Sequence, residues 1–134
     1  MDFTLHHAAI SAKDMAVSVA FYEQFGFKVV LHWKDPDGAQ EIAHLKLGGN
    51  YLEIFWFEHQ MSAPETAGSL ATDLPRIGVK HVALQVNSVH DAKEFVENRG
   101  SSHLVGFCSQ VITESGCLVD TGSDCFRRPV RVAA

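Results

Sequence analysis

The strongest constraint on the fold is a repeat. Residues His7 to Gly26 read HAAISAKDMAVSVAFYEQFG, and residues His81 to Gly100 read HVALQVNSVHDAKEFVENRG. At one constant offset and without a gap, His7 meets His81, Ala9 meets Ala83, Ile10 meets Leu84 and Met15 meets Val89. Phe21 then meets Phe95, Glu23 meets Glu97 and Gly26 meets Gly100. That many coincidences in register mark one duplicated supersecondary unit.

Each copy begins as a strand and continues as a helix. Leu5 to Ala12 is apolar enough for a buried strand. Asp14 supplies an N-cap, and Val17, Ala20, Phe21 and Phe25 have helical spacing, with Gly26 as the C′ residue. In the second copy Val79 to Val86 is the strand. Ser88 caps a helix over Asp91 to Asn98, whose apolar face is Val89, Ala92, Phe95 and Val96.

Three strand-like runs follow the first helix. Phe27 to Trp33 and Gln40 to Leu47 flank the turn Asp35-Pro36-Asp37-Gly38, and Gly48-Gly49-Asn50 turns the chain into Tyr51 to Phe57. The first unit therefore reads β-α-β-β-β. The segment from Glu58 to Gly78 contains Pro64, Gly68 and Pro75 and reads as a linker, with a short helix over Pro64 to Leu70. A chain of 134 residues is one domain's worth. The expected division is a single domain over 1–134: unit one 4–57, linker 58–78 and unit two 79–134, whose tail 101–134 is atypical.

Composition narrows the function classes. A net charge of −5 with no basic stripe argues against nucleic-acid binding. No apolar run approaches a membrane span, and no signal-peptide pattern opens the sequence. The three cysteines are odd in number, lie after residue 100 and form no CxxC pair. This argues against a disulfide scaffold or a zinc ribbon and fits a reducing cytoplasm.

Side chains alternate across a strand. His7 shares a face with Leu5, Ala9 and Ser11; Glu53 shares one with Tyr51, Phe55 and Phe57; His81 shares one with Ala83 and Gln85. A carboxylate embedded in YLEIFWF is expensive to bury without a cation or donors to compensate it. Two imidazoles and one carboxylate converging from three strands make a divalent-metal site with open positions. It is the ligand set of non-haem Fe(II) oxygenases, and equally suits Mn, Co, Ni or Zn. Each residue alone has a plainer reading: His7 or His81 as a strand-end surface residue, Glu53 as an edge-strand carboxylate facing water. Their equivalent places in the repeat favour the site. His6, His32, His44, His59, His90 and His103 lack such pairing and read as surface or packing residues. Phe55-Trp56-Phe57 reads first as core.

The stretches HHAAISAKDMAVSVAFYEQFGF, GGNYLEIFWF and GVKHVALQV, over roughly residues 5 to 100, resemble the vicinal oxygen chelate superfamily. That group includes glyoxalase I, extradiol dioxygenases and bleomycin-resistance proteins. Within it the chain is most similar to glyoxalase-like (lactoylglutathione-lyase-like) members. The resemblance implies an α+β fold of two βαβββ units forming a cupped, open mixed barrel around a divalent metal (Zn, Ni, Mn, Co or Fe), and a homodimer. By motif position it implies His7, Glu53 and His81 as ligands. It further implies a small-molecule substrate with vicinal oxygens, converted through a metal-stabilised enediolate, and a substrate pocket lined by Ser11, Tyr51, Phe55 and Phe57. Two alternatives on the same scaffold are an Fe(II)-dependent dioxygenase and a non-catalytic binding or resistance protein.

Two departures from the family pattern matter. Ser11 stands where the glyoxalases carry a basic residue that helps hold glutathione, which argues against that co-substrate. The family's terminal DPxG turn and the following glutamate ligand, also the catalytic base of glyoxalase I, have no match in the tail. Glu114, Asp120 and Asp124 are candidates by chemistry alone. The tail shows strand character only at Leu104 to Phe107 and Gln110 to Thr113. Two origins stay open: natural divergence, or a reading-frame shift near Gly100. Codons for Phe126 to Val132, read one base later, permit Phe-Val-Asp-Pro-Ser-Gly-Trp.

Overall fold

The computed structural model describes residues 1–68, 70–79, 81–99, 105–108 and 117–120. They fall into two compact units, Met1–Ser62 and Ala63–Ala134.

In the first unit the order is β1 (His7–Ser11), α1 (Met15–Glu23), β2 (Lys28–Lys34), β3 (Gln40–Leu47) and β4 (Asn50–Phe57). The sheet order is β1-β4-β3-β2, with β1 parallel to β4 and the other pairings antiparallel. This is the expected βαβββ unit, an open mixed sheet. The parallel pairing of β1 and β4 follows from the crossover through α1, which returns the chain across one face before the meander begins. Strand β1 is shorter than its apolar run: Leu5 lies outside it and is exposed.

Local chemistry explains the turns. Asp14 has extended backbone, and its side chain accepts a hydrogen bond from the Val17 amide at 2.9 Å, so the cap is as expected. The helix ends one residue earlier than a C′ glycine requires. Gln24 is the C-cap, and Gly26 stands two positions beyond it with φ +89°. Its amide donates to the Glu23 carbonyl, a tightened last turn that sends the chain into β2. The Asp35–Gly38 turn closes with Gly38 N–H donating to the Asp35 carbonyl at 2.9 Å, and Gly38 has φ +76°.

The core of this unit lies between α1 and one sheet face. Ala43, Leu45, Leu52 and Ile54 are the inward residues of β3 and β4, all essentially inaccessible, and they meet Met15, Phe21, Tyr22 and Phe27. The inward side of α1 is Met15, Ser18, Phe21 and Tyr22, rotated from the expected face; Val17 is 56% exposed. MAVSVAF is apolar nearly all round, so periodicity alone could not choose its face. The aromatic rings decide it: Phe21, Tyr22, Phe25 and Phe27 form a chain of edge-to-face contacts with centroids 5.1–5.4 Å apart.

The second unit contains a 3₁₀ turn (Glu65–Gly68), α2 (Leu70–Asp73), β5 (Val82–Gln85), α3 (Val89–Glu97), β6 (Val105–Cys108) and β7 (Cys117–Asp120). The expected cap holds here too, with Ser88 accepting from the Asp91 amide at 3.2 Å. Val96 is the buried anchor of α3, and Ala92 and Phe95 are half-buried beside it. The three strands are ordered β5-β7-β6, all antiparallel. Strand β5 is half the expected length because only Val82–Gln85 find partners, on Cys117–Asp120. His81 therefore stands just before the strand. The expected strand at Gln110 to Thr113, and Glu114 and Asp124, lie outside the described residues.

Candidate functional site

The pairing register sorts the first unit's side chains onto two faces. On the face opposite α1, the row His7–Tyr51–Lys46 runs across β1, β4 and β3. The next row is Ala9–Glu53–His44, continuing to Leu31 on β2. The third is Ser11–Phe55–Ile42–Trp33, and Phe57 lies beyond Phe55. Ser11, Tyr51, Phe55 and Phe57 thus share one face with Glu53, and Phe55 and Phe57 stack with centroids 6.4 Å apart. Trp56, read from the sequence as part of the same apolar run, points to the helix side, where its indole N–H donates to the Lys13 carbonyl.

Glu53 is the centre of the polar cluster. Its Oε1 lies 2.8 Å from His44 Nε2, and its Oε2 lies 3.6 Å from His7 Nε2. An ionised carboxylate only accepts, so His44 donates from Nε2. The other ring nitrogen of His7, Nδ1, is 2.9 Å from His6 Nδ1. When His7 donates through Nδ1, its Nε2 presents a lone pair toward Glu53. Two donors each about 2.1 Å from one ion sit roughly 3 to 3.4 Å apart, so the His7 Nε2 and Glu53 Oε2 pair needs little adjustment to share a metal. The residues present fit half of a metal's ligand set. His81 belongs to the second unit and is exposed. Among the described residues no three His, Cys, Asp or Glu side chains form a ready-made cage.

His44 is the residue that sequence reasoning missed. The signal was available: a two-residue Gly48-Gly49 loop pairs Leu47 with Asn50 and so sets His44 directly opposite Glu53. Reading the turn as three residues long hid that register. His6 also has a part, stacking on the Tyr51 ring with centroids 5.2 Å apart.

The helix side carries a separate polar group. His32 Nε2 and Lys34 Nζ approach the two oxygens of Glu41 at 2.8 and 3.0 Å. Burial alone pushes the Glu41 carboxyl up, but the hydrogen bonds and charges of Lys34 and His32 outweigh it and hold it below its ordinary value. These three line an open cleft of about 490 Å³ with Asp14, Val19 and Trp56. Of the sequence-predicted site residues, none lines this cleft.

No helix among the described residues is long and apolar enough to cross a membrane. The fold is shared with several solved structures. A glyoxalase family protein from Enterococcus faecalis is 23% identical with a TM-score of 0.65, over 89% of this chain and 92% of that one. The protein SMU.1112c matches at 23% identity and a TM-score of 0.65, over 89% and 93% of the two chains. The trypanothione-dependent glyoxalase I of Leishmania major matches at 18% identity and a TM-score of 0.58, over 82% and 73%. No curated protein sequence matches at a significant level. A family model matches residues 4–101, a span that holds β1, α1, β2, β3 and β4 of the first unit and β5 and α3 of the second. The chain belongs to the glyoxalase/bleomycin resistance protein/dioxygenase superfamily.

Proposed function

We propose that the chain is a metal-dependent glyoxalase-like enzyme, a lyase or isomerase acting on a small substrate with two neighbouring oxygens. The observation that carries this reading is the approach of His7 Nε2 to Glu53 Oε2 on the face away from α1. Superfamily members generally use divalent metals, which agrees with it. His7, Glu53 and His81 would hold the ion. Bound there, a divalent ion supplies Lewis acidity to the substrate's paired oxygens. His44 holds one Glu53 oxygen by its hydrogen bond and leaves the other directed at His7. Ser11, Tyr51, Phe55 and Phe57 line the approach. No residue is assigned as the base, because the family's terminal glutamate has no counterpart here.

Elemental analysis of metal per chain, in the wild type and in Glu53→Ala, tests the proposal. The expected result is near-stoichiometric metal in the wild type and loss in the variant. A wild type that stays metal-free after reconstitution with Zn, Ni, Mn, Co and Fe in turn would contradict it. The Phe55–Phe57 stack favours one second reading, a binding protein with an aromatic wall; retained ligand affinity without any metal would support that instead. Oxygen consumption with a catechol would assign the dioxygenase branch. The homodimer common among superfamily members is proposed as well, and sedimentation at twice 14.7 kDa checks it.

A further inference from the structure

The three rows on the face opposite α1 differ in chemistry, and the difference describes a ligand. At one end Lys46 and Lys28 are direct cross-strand partners on β3 and β2. Like charges set opposite each other repel, and neither has an ion-pair partner among the described residues. Lys46 Nζ instead lies over the Tyr51 ring, 5.4 Å from its centroid. Glu53 is the single acid that the register of β1–β4 puts on this face, and its oxygens are directed at His44 and His7. The basic end therefore has unmatched positive charge.

At the other end, two residues along each strand beyond the Glu53 row, stand Phe55, Ile42 and Trp33. Trp33 is 44% exposed. From Lys46 to Ile42 the strand advances by about 13 Å. The Glu53 row lies midway.

The geometry points to a small amphiphilic carboxylic acid as the substrate class of this site. Its carboxylate would meet Lys46 and Lys28, its apolar or aryl body would cover Phe55, Ile42 and Trp33, and its metal-chelating oxygens would lie between. The inference rests on the proposed metal site and adds the polarity of what binds there. It also places the anion-binding group on β3 and β2, away from the Ser11 end of β1.

Four hydroxamates, each a fixed pair of chelating oxygens, test it on the Co²⁺-loaded protein. N-methylacetohydroxamate is the bare chelator. N-hydroxyacetanilide adds a phenyl group on nitrogen, the N-methyl succinyl hydroxamate adds a carboxylate on the carbonyl side, and the N-phenyl succinyl hydroxamate carries both. The expected result is a gain of about threefold from the carboxylate, in keeping with one exposed ion pair. The phenyl adds about tenfold, in keeping with a partly buried ring. Lys46→Gln should erase the first gain and keep the second, and Trp33→Ala should do the reverse. Equal weakening of all four probes by Lys46→Gln, or no gain from the carboxylate, would overturn the inference. Glu53→Ala separates the two claims: if it binds Co²⁺ as the wild type does, the metal-site reading fails. The polarity is then read on metal-free protein by titrating 4-phenylbutyrate against 4-phenylbutanol through tryptophan fluorescence. Preference for the acid, lost in Lys46→Gln, supports it; no preference overturns it.

Discussion

The two units begin alike and end differently. Strand, capped helix and helix end repeat from one to the other: Asp14 and Ser88 cap by the same hydrogen bond to the third residue on, and both helices run nine residues. After the helix the units part. In the first, β1 is covered by a parallel partner, β4, which brings Glu53 beside His7. In the second, the equivalent strand β5 pairs antiparallel with β7, and among the described residues no strand lies parallel to it. The superfamily match ends at residue 101, just past the repeat. A ligand carried on a first strand becomes half of a site only when the crossover returns a fourth strand beside it. Topology and chemistry are thus tied: unit one carries His7 and Glu53 of the proposed ligand set, and unit two carries His81.

The largest expected effect separates the two cores. Ile54→Ala removes a side chain that is fully inaccessible between sheet and helix. It should cost about 2–5 kcal/mol in urea denaturation. Val96→Ala removes a smaller part of a buried side chain in unit two and should cost less; an equal or greater loss would break the contrast. Next is His44. Replacing it with Phe frees Glu53 from its partner, and metal affinity should fall about 10- to 100-fold, as when other outer partners of metal ligands are removed. Gln can still donate and should restore most of it. If both variants lose metal as completely as Glu53→Ala, His44 is itself a ligand.

The caps should give smaller and matched losses. Asp14→Ala and Ser88→Ala should each cost about 1 kcal/mol by thermal or chemical unfolding. Unequal costs would mean that the repeated cap does different work in the two units. The smallest effect is expected at Glu41. Its pKa is lowered in the folded state, so its contribution is present above its ordinary value of 4.5 and is lost as pH falls through the folded value. Glu41→Gln should cost less than about 1 kcal/mol at neutral pH, because the cluster is partly exposed. The difference from the wild type should shrink toward zero in acid, and a cost that persists there would point to packing rather than charge.

Much of the first unit is legible in the sequence. The β-α-β-β-β succession, the Asp14 cap and the DPDG turn each rest on a local rule that tertiary structure left alone. The face of α1 was not legible, since Met15 to Phe21 offers apolar side chains in every direction and only packing of Phe21 and Tyr22 chooses among them. His44 was legible in principle through the Gly48-Gly49 hairpin register, yet histidine spacing along the chain concealed it, because its partner is nine residues away across a turn. For β5 the apolar run overstated the strand: pairing, not hydrophobicity, sets where it stops. The tail offers no motif and little periodicity beyond the runs at Leu104 to Phe107 and Gln110 to Thr113; β6 (Val105–Cys108) forms at the first of these, whereas β7 follows from pairing with β5 and β6.

His7 and Glu53, brought together within unit one, are the donor pair proposed for the metal. Anomalous diffraction at the cobalt edge from a Co²⁺-loaded crystal tests this most directly. The predicted result is a peak about 2.0–2.2 Å from both His7 Nε2 and Glu53 Oε2. A peak that contacts neither of those atoms, or a fully loaded crystal with His7 still facing an unliganded Glu53, would contradict it.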